Sequence, residues 1–136
     1  MIARLATAYL FTGLAFALID SVWLRTMYSR LYQPELGALL GNLRLGPAIA
    51  FYLIYIAGMI WFAVGPALAN GRWQTALVQG AILGLLCYAT YDLTNFATLK
   101  IWSLKVTLLD ILWGTVLTGS ASLAGYAATN ALFNRG

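Results

Sequence analysis

The chain has four carboxylate side chains in 136 residues: Asp20, Glu35, Asp92 and Asp110. The three aspartates stand inside long apolar runs, where a charge at the centre of a membrane helix costs about 2.5–3.5 kcal/mol on an insertion scale. Two of them carry the same short pattern, Asp20-Ser21-Val22-Trp23 and Asp110-Ile111-Leu112-Trp113. Residues three apart share a helical face, so each indole, Trp23 and Trp113, is expected to cover its own carboxylate. The recurrence hints at an internal duplication, on two matched residues only. Polar aromatic residues accompany the acids: Tyr52 and Tyr55 early in one run, then Tyr88, Tyr91 and Asn95 on or near the face of Asp92. Together with Lys100, the tyrosines and aspartates are the groups available for proton transfer.

What is missing narrows the chemistry. Without any His, Ser-His-Asp and Cys-His catalysis, His-ligated haem and His-containing zinc sites are excluded. There is no glycine-rich phosphate loop and no dinucleotide fingerprint. Three carboxylates can hold a hard cation such as magnesium, but their spacing has no regularity of a dedicated motif. Neither a metal nor a cofactor is expected. Cys87 is the single cysteine; it cannot form an internal disulfide, and its apolar surroundings predict a buried, inert thiol.

The elements that position these groups follow from composition. Hydrophobic residues make up 62% of the chain and charged residues 9%, against about a quarter charged in soluble domains. A surface this apolar needs the bilayer as its solvent. Eight Lys and Arg against four acids give a net charge of +4. The basic residues are scattered at helix ends, so no nucleic-acid partner is expected. A single transmembrane domain over 1–136 is anticipated. About 20 apolar residues span a bilayer as a helix, and four windows qualify: 5–24, 47–68, 73–96 and 103–127. None shows the alternation of a membrane strand. The fold class is therefore all-α, four transmembrane helices in an antiparallel bundle. Arg4 and Ala15-Phe16-Ala17 imitate a signal peptide, but the apolar run continues past Ala17, which reads as a retained helix.

The connections have their own signals. Pro47 suits a helix start, and Gly65-Pro66 predicts a kink or stop. Residues 69–72 read as a tight turn. Between the first two spans, Tyr28, Leu31, Tyr32, Leu36, Leu39, Leu40 and Leu43 recur at helical spacing. They predict an interfacial helix over 26–45, entered through Pro34 and closed by Gly41; a loop packed on the bundle is the other reading. Small residues four apart (Gly13, Ala17, Ser21; Gly80, Gly84; Gly114, Thr118, Ser122) predict the helix contacts.

Topology then brings the acids together. The first and third spans end, and the fourth begins, on the side of the two odd-numbered loops. Asp20, Asp92 and Asp110 therefore fall in one leaflet, with Glu35 at its surface. Asp92 lies eight residues before Lys100 and Asp110 ten after it, which makes them the central pair and Asp20 the third member. Like charges at that range resist joint ionisation, so a shared proton or a bridge from Lys100 or Lys105 is expected; Arg25 is a further partner within reach. Arg4, Arg72 and Arg135 lie on the side of the termini, against Arg25, Arg30, Arg44, Lys100 and Lys105 opposite. The positive-inside rule places the odd loops in the cytoplasm and both termini outside.

The string Tyr91-Asp92-Leu93-Thr94-Asn95-Phe96-Ala97-Thr98-Leu99-Lys100, with Asp110-Ile111-Leu112-Trp113-Gly114-Thr115 and Asp20-Ser21-Val22-Trp23-Leu24, resembles the bacterial DUF2177 family over essentially the whole chain. The resemblance implies a four-helix protein of the bacterial inner membrane. It implies no activity and assigns no residue a role.

The leading functional reading is a pocket within one leaflet for a lipid or another hydrophobic small molecule with a polar head. Carboxylates and tyrosines would address the head, and Trp23 and Trp113 would line the wall. Binding alone and acid/base chemistry both remain open. The alternatives are a proton- or cation-coupled transporter, for which a homodimer is compatible, and an accessory subunit of a larger membrane complex. Gln79 is the one strong polar side chain deep in the other half of the third span, which offers little to a transport path.

Overall fold

The computed structural model of the chain describes residues 2–133; Arg135 of the charge count lies outside them. Four long helices make up most of the described residues: α1 Ile2–Leu36, α2 Leu45–Asn70, α3 Trp73–Thr98 and α4 Leu104–Phe133, each long and apolar enough to cross a membrane. Large apolar side chains such as Leu10, Leu14, Ile54 and Trp61 point outward. That is the arrangement expected where the solvent is hydrocarbon.

The first helix differs from the expectation. A separate interfacial helix over 26–45 does not form. Instead α1 winds on without a break through a π turn at Tyr28–Tyr32 and a last helical piece at Gln33–Leu36. A turn and an irregular segment then lead to α2. At 1.5 Å per residue the 35 residues of α1 reach about 50 Å, well beyond the roughly 30 Å of a hydrocarbon core. Its end therefore stands over the bundle. Pro34 is tolerated because the carbonyl its ring would strike belongs to Arg30. Arg30 lies in the π turn, where the wider winding moves that carbonyl aside.

The same device recurs in α2. A π turn at Ile60–Val64 precedes Gly65-Pro66, and the helix continues to Asn70 rather than stopping. Gly65 is required there, since a Cβ would lie 2.6 Å from the carbonyl oxygen of Ile60. The expected tight turn forms at Gly71, whose φ of 71° is the left-handed value that glycine adopts freely. Its N–H and that of Arg72 both donate to the carbonyl of Ala67, and Arg4 donates to that of Leu68 at 3.0 Å.

α3 and α4 form the tightest pair, as their short connection requires. A Cβ on Gly84 would lie 2.2 Å from the carbonyl oxygen of Gly114, and one on Gly80 would lie 2.7 Å from Ser122 Oγ. The small-residue spacing of the third and fourth spans thus marks their contact. In α1 the contact ridge is shifted by one residue. Ala8, Thr12, Phe16 and Asp20 are the buried positions, Gly13 meets Ile56 of α2, and Ser21 is exposed, its hydroxyl donating to its own helix. Phe16 wins over Ala17 because the gap between α1, α2 and α4 is wide enough for a ring: Phe16 packs edge-on against Tyr52 and Tyr55. At Thr12 the helices approach most closely, against Gly125.

The interior has three levels. Ala8, Val64, Ala67, Ala76 and Tyr126 pack near the termini. Phe16, Tyr55, Met59, Leu117 and Ala121 fill the middle. Leu31, Leu36 and Val106 close the odd-loop end, with Trp23, Tyr32 and Trp102 against them. The π turn of α2 packs on α3, whereas the stretch Leu45–Met59 makes no comparable contact with it. A cleft between α2 and α3 follows in the odd-loop half.

Candidate functional site

The end of α1 is held over the bundle by a polar latch. Ser103 donates to Glu35 Oε1 at 2.7 Å and accepts the N–H of Val106, capping the start of α4. Leu31 and Leu36 pack on Val106 beside it. Beneath this roof is a chamber of about 350 Å³. α1 contributes Asp20, Trp23 and Tyr32, α3 contributes Tyr88, Tyr91 and Asp92, and α4 contributes Asp110 and Trp113. Trp102 and the turn residues Leu39 and Leu40 complete the wall. All three aspartates thus line one chamber in one half of the bundle, as the depth argument requires.

Each carboxylate has a different environment. Asp20 is satisfied on both oxygens: Tyr52 donates to Oδ2 at 2.6 Å and Trp113 Nε1 to Oδ1 at 3.2 Å. Asp110 accepts one bond, from the Tyr32 hydroxyl at 2.6 Å, and that hydroxyl accepts from Trp23 Nε1 at 2.9 Å. Asp92 is wholly buried, and among the described residues no hydroxyl, amide or indole donates to either of its oxygens. The carboxyl of Asp110 is its neighbour, near enough for one proton shared between the two acids to join them by a hydrogen bond. Tyr88 stands among Asp20, Asp110, Tyr52 and Tyr55, and its ring lies against Gly114, where a Cβ would come within 2.1 Å of it.

The two Asp-x-x-Trp motifs are crossed. Trp113 serves Asp20 rather than Asp110, and Trp23 reaches Asp110 only through Tyr32. The indoles of Trp23 and Trp113 stack at 4.4 Å and 7°. α1 and α4 pack against each other at this level, so an indole one turn from its own aspartate meets the facing helix first. Interhelical contact overrides the local spacing rule.

The fourth-helix sequence from Gly114 onward, the α3 string around Asp92 and the α1 motif at Asp20 belong to a stretch matched as a whole. A family model described as "Predicted membrane protein (DUF2177)" matches residues 5–127. The chain belongs to the DUF2177 family. No curated protein and no solved structure matches it. In this DUF2177 chain the motif residues Asp20, Trp23, Tyr91, Asp92, Asp110 and Trp113 all face the one chamber.

Other expected site residues lie elsewhere. Tyr52 stands behind Asp20 as a donor. Tyr55 belongs to the core, bonded to Thr118 at 2.7 Å. Asn95 is half-buried on α3 and Lys100 is exposed in the α3–α4 connection; neither lines the chamber. Lys100, Lys105 and Arg25 do not pair with the aspartates: among the described residues, the donors to these acids are phenols and indoles. A lysine in a connection outside the bundle keeps its ammonium in water more cheaply than it would deliver it inward. Cys87 is exposed rather than buried, on the outer side of α3 facing the α2–α3 cleft. Gln79 is likewise exposed.

Tyr32 is the functional candidate that the sequence reading missed. Its spacing in the sequence puts it on the apolar face of the connector; only the continuation of α1 brings its hydroxyl to Asp110. A second cavity, of about 310 Å³, adjoins the chamber and is lined by Phe51, Cys87, Tyr88, Tyr91 and Asp110. Tyr88, Tyr91 and Asp110 are a wall common to both. Among the described residues no group of His, Cys, Asp or Glu is placed to hold a metal ion.

Proposed function

We propose that this protein binds a lipid or similar amphiphile from one leaflet, with the polar head in the acidic chamber and the apolar chain in the α2–α3 cleft. The observation that carries the reading is Asp92. A buried carboxyl whose two oxygens lack donors costs free energy, and proteins retain such groups where something else supplies the partner. Asp20 and Asp110, in the wall of the same chamber, have donors from their own fold. Asp92 alone of the three receives no such donor among the described residues, and it belongs to the wall of the same chamber. The adjoining cavity is apolar in its lining, with Phe51 and Cys87 beside the two tyrosines, and it lies where α2 parts from α3. A head in one space and a chain in the other would share the Tyr88–Tyr91 wall.

Within this reading the protein resides in the bacterial inner membrane, the connector after α1 faces the cytoplasm and the termini face out, on the basic-residue balance. The test is retention of an amphiphile through purification. Protein extracted in mild detergent is analysed by native mass spectrometry, alongside Leu39→Trp, which narrows the chamber from an exposed turn residue, and Asp92→Asn. Wild type is expected to carry an amphiphile that both variants lose. A folded wild type that carries none, or variants that retain it equally, would remove the proposal.

A further inference from the structure

The charge balance of the chamber says what kind of head fits. Three carboxylates line it, and among the described residues no Lys or Arg does. The donors that meet Asp20 and Asp110 are Tyr52, Trp113 and Tyr32, all neutral. Hydrogen bonds from neutral groups disperse a negative charge but do not cancel it. Asp92 and Asp110 face each other across the α3–α4 contact, and among the described residues no phenol, indole or base donates to Asp92. The space is therefore short of positive charge as well as of hydrogen-bond donors.

Its walls are aromatic as well. The stacked indoles of Trp23 and Trp113 stand beside Asp20, and Tyr91 meets Trp102 edge-on at 5.8 Å. Aromatic faces carry a negative quadrupole and attract a cation within about 6 Å. A carboxylate pair backed by such rings suits an ammonium group, which offers several donors and a whole charge at once. An anionic head meets repulsion from three acids. A neutral polyol supplies donors and leaves the charge uncompensated.

We infer that the amphiphile bound by this chamber carries an ammonium head, seated beside the Asp92–Asp110 pair against the aromatic wall. The inference rests on the reading given under Proposed function and adds the chemical class of the ligand. The head is a primary or substituted amine at the end of an apolar body. Where that amine belongs to a zwitterionic lipid, the amine enters and the phosphate stays outside among the exposed bases of the connections.

The experiment compares two probes of equal chain length on the full-length wild-type protein in nanodiscs of a neutral lipid: dodecylammonium and 1-dodecylglycerol. Binding is followed by the fluorescence of the chamber tryptophans and by calorimetry. Asp92→Asn measures binding outside the chamber, and Asp110→Asn serves as a second variant if that one fails to fold. Dodecylammonium is expected to bind about tenfold more tightly than the neutral probe, a difference typical of one added charge and cation–π contact, and to lose that advantage in the variant. Equal binding of both probes, abolished by Asp92→Asn, would overturn the ammonium assignment while leaving the head-group chamber in place. If neither probe binds in an Asp92-dependent way, the assignment falls together with the chamber's role as a lipid site. The comparison of probes on wild type alone decides between the first two outcomes, whatever the variants do.

Discussion

Replacing Asp92 by Asn and replacing Asp20 by Asn remove the same charge from the same chamber, yet the structure requires opposite effects on stability. Asp20 accepts bonds from Tyr52 and Trp113, one on each oxygen. An Asn at this position keeps one acceptor and sets its amide against a remaining donor. One charged-acceptor hydrogen bond is lost, at a cost of about 1.5–3 kcal/mol. Asp92 accepts no bond from a phenol or indole; its neighbour is the carboxyl of Asp110. Its replacement relieves the contact between two acids and sets an amide N–H against the Asp110 carboxylate, in place of a proton shared by the pair. Allowing for the amide's own unmatched groups, a net gain of about 1 kcal/mol is expected. The two variants should therefore differ by about 3 kcal/mol, or about two decades in the unfolding equilibrium. Unfolding of the purified protein by sodium dodecyl sulfate in mixed micelles, followed by tryptophan fluorescence, measures the difference. The more stable variant is also the one expected to lose the bound amphiphile. If Asp92→Asn proves as destabilising as Asp20→Asn, Asp92 is holding the fold, and the argument from its unpartnered oxygens collapses.

Two further outcomes follow from the packing and the topology. Gly84→Ala drives a Cβ to 2.2 Å from the backbone oxygen of Gly114, where neither helix can yield; a loss of about 3 kcal/mol is expected. Gly58→Ala meets nothing within 4 Å and should be neutral or stabilise by up to about 1 kcal/mol, as the same unfolding assay would show. In a background lacking Cys87, Gly41→Cys in the connector should resist a membrane-impermeant maleimide in intact cells. Ala69→Cys, at the opposite end of the bundle, should react. The reverse pattern would invert the proposed orientation and leave the chamber unchanged.

The four apolar helices and the gathering of the aspartates in one half of the bundle were legible in the sequence, because both follow from the length of apolar runs and from the alternation of direction between successive helices. The contact of the last two spans was legible too: with so short a connection, Gly80, Gly84 and Gly114 had little else to face. Three matters were decided only by tertiary structure. The end of α1 stays helical past Pro34, because a π turn can absorb the proline's clash; hydrophobic spacing alone does not distinguish a continuing helix from a new one. Consequently Tyr32 stands over Asp110. The two tryptophans serve the facing helix instead of their own aspartates, since donor and acceptor pair by distance across an interface, and the spacing of residues along one helix is silent about the neighbour's register. Finally, charge compensation did not come from Lys100 or Lys105. Sequence places those lysines near the acids along the chain, but water outside the bundle solvates an ammonium better than the interior does, and the phenols and indoles were already in reach. Asp92, the acid that received no donor, could not be told from the other two by residue type or depth. It became distinct only when the partners of all three were known.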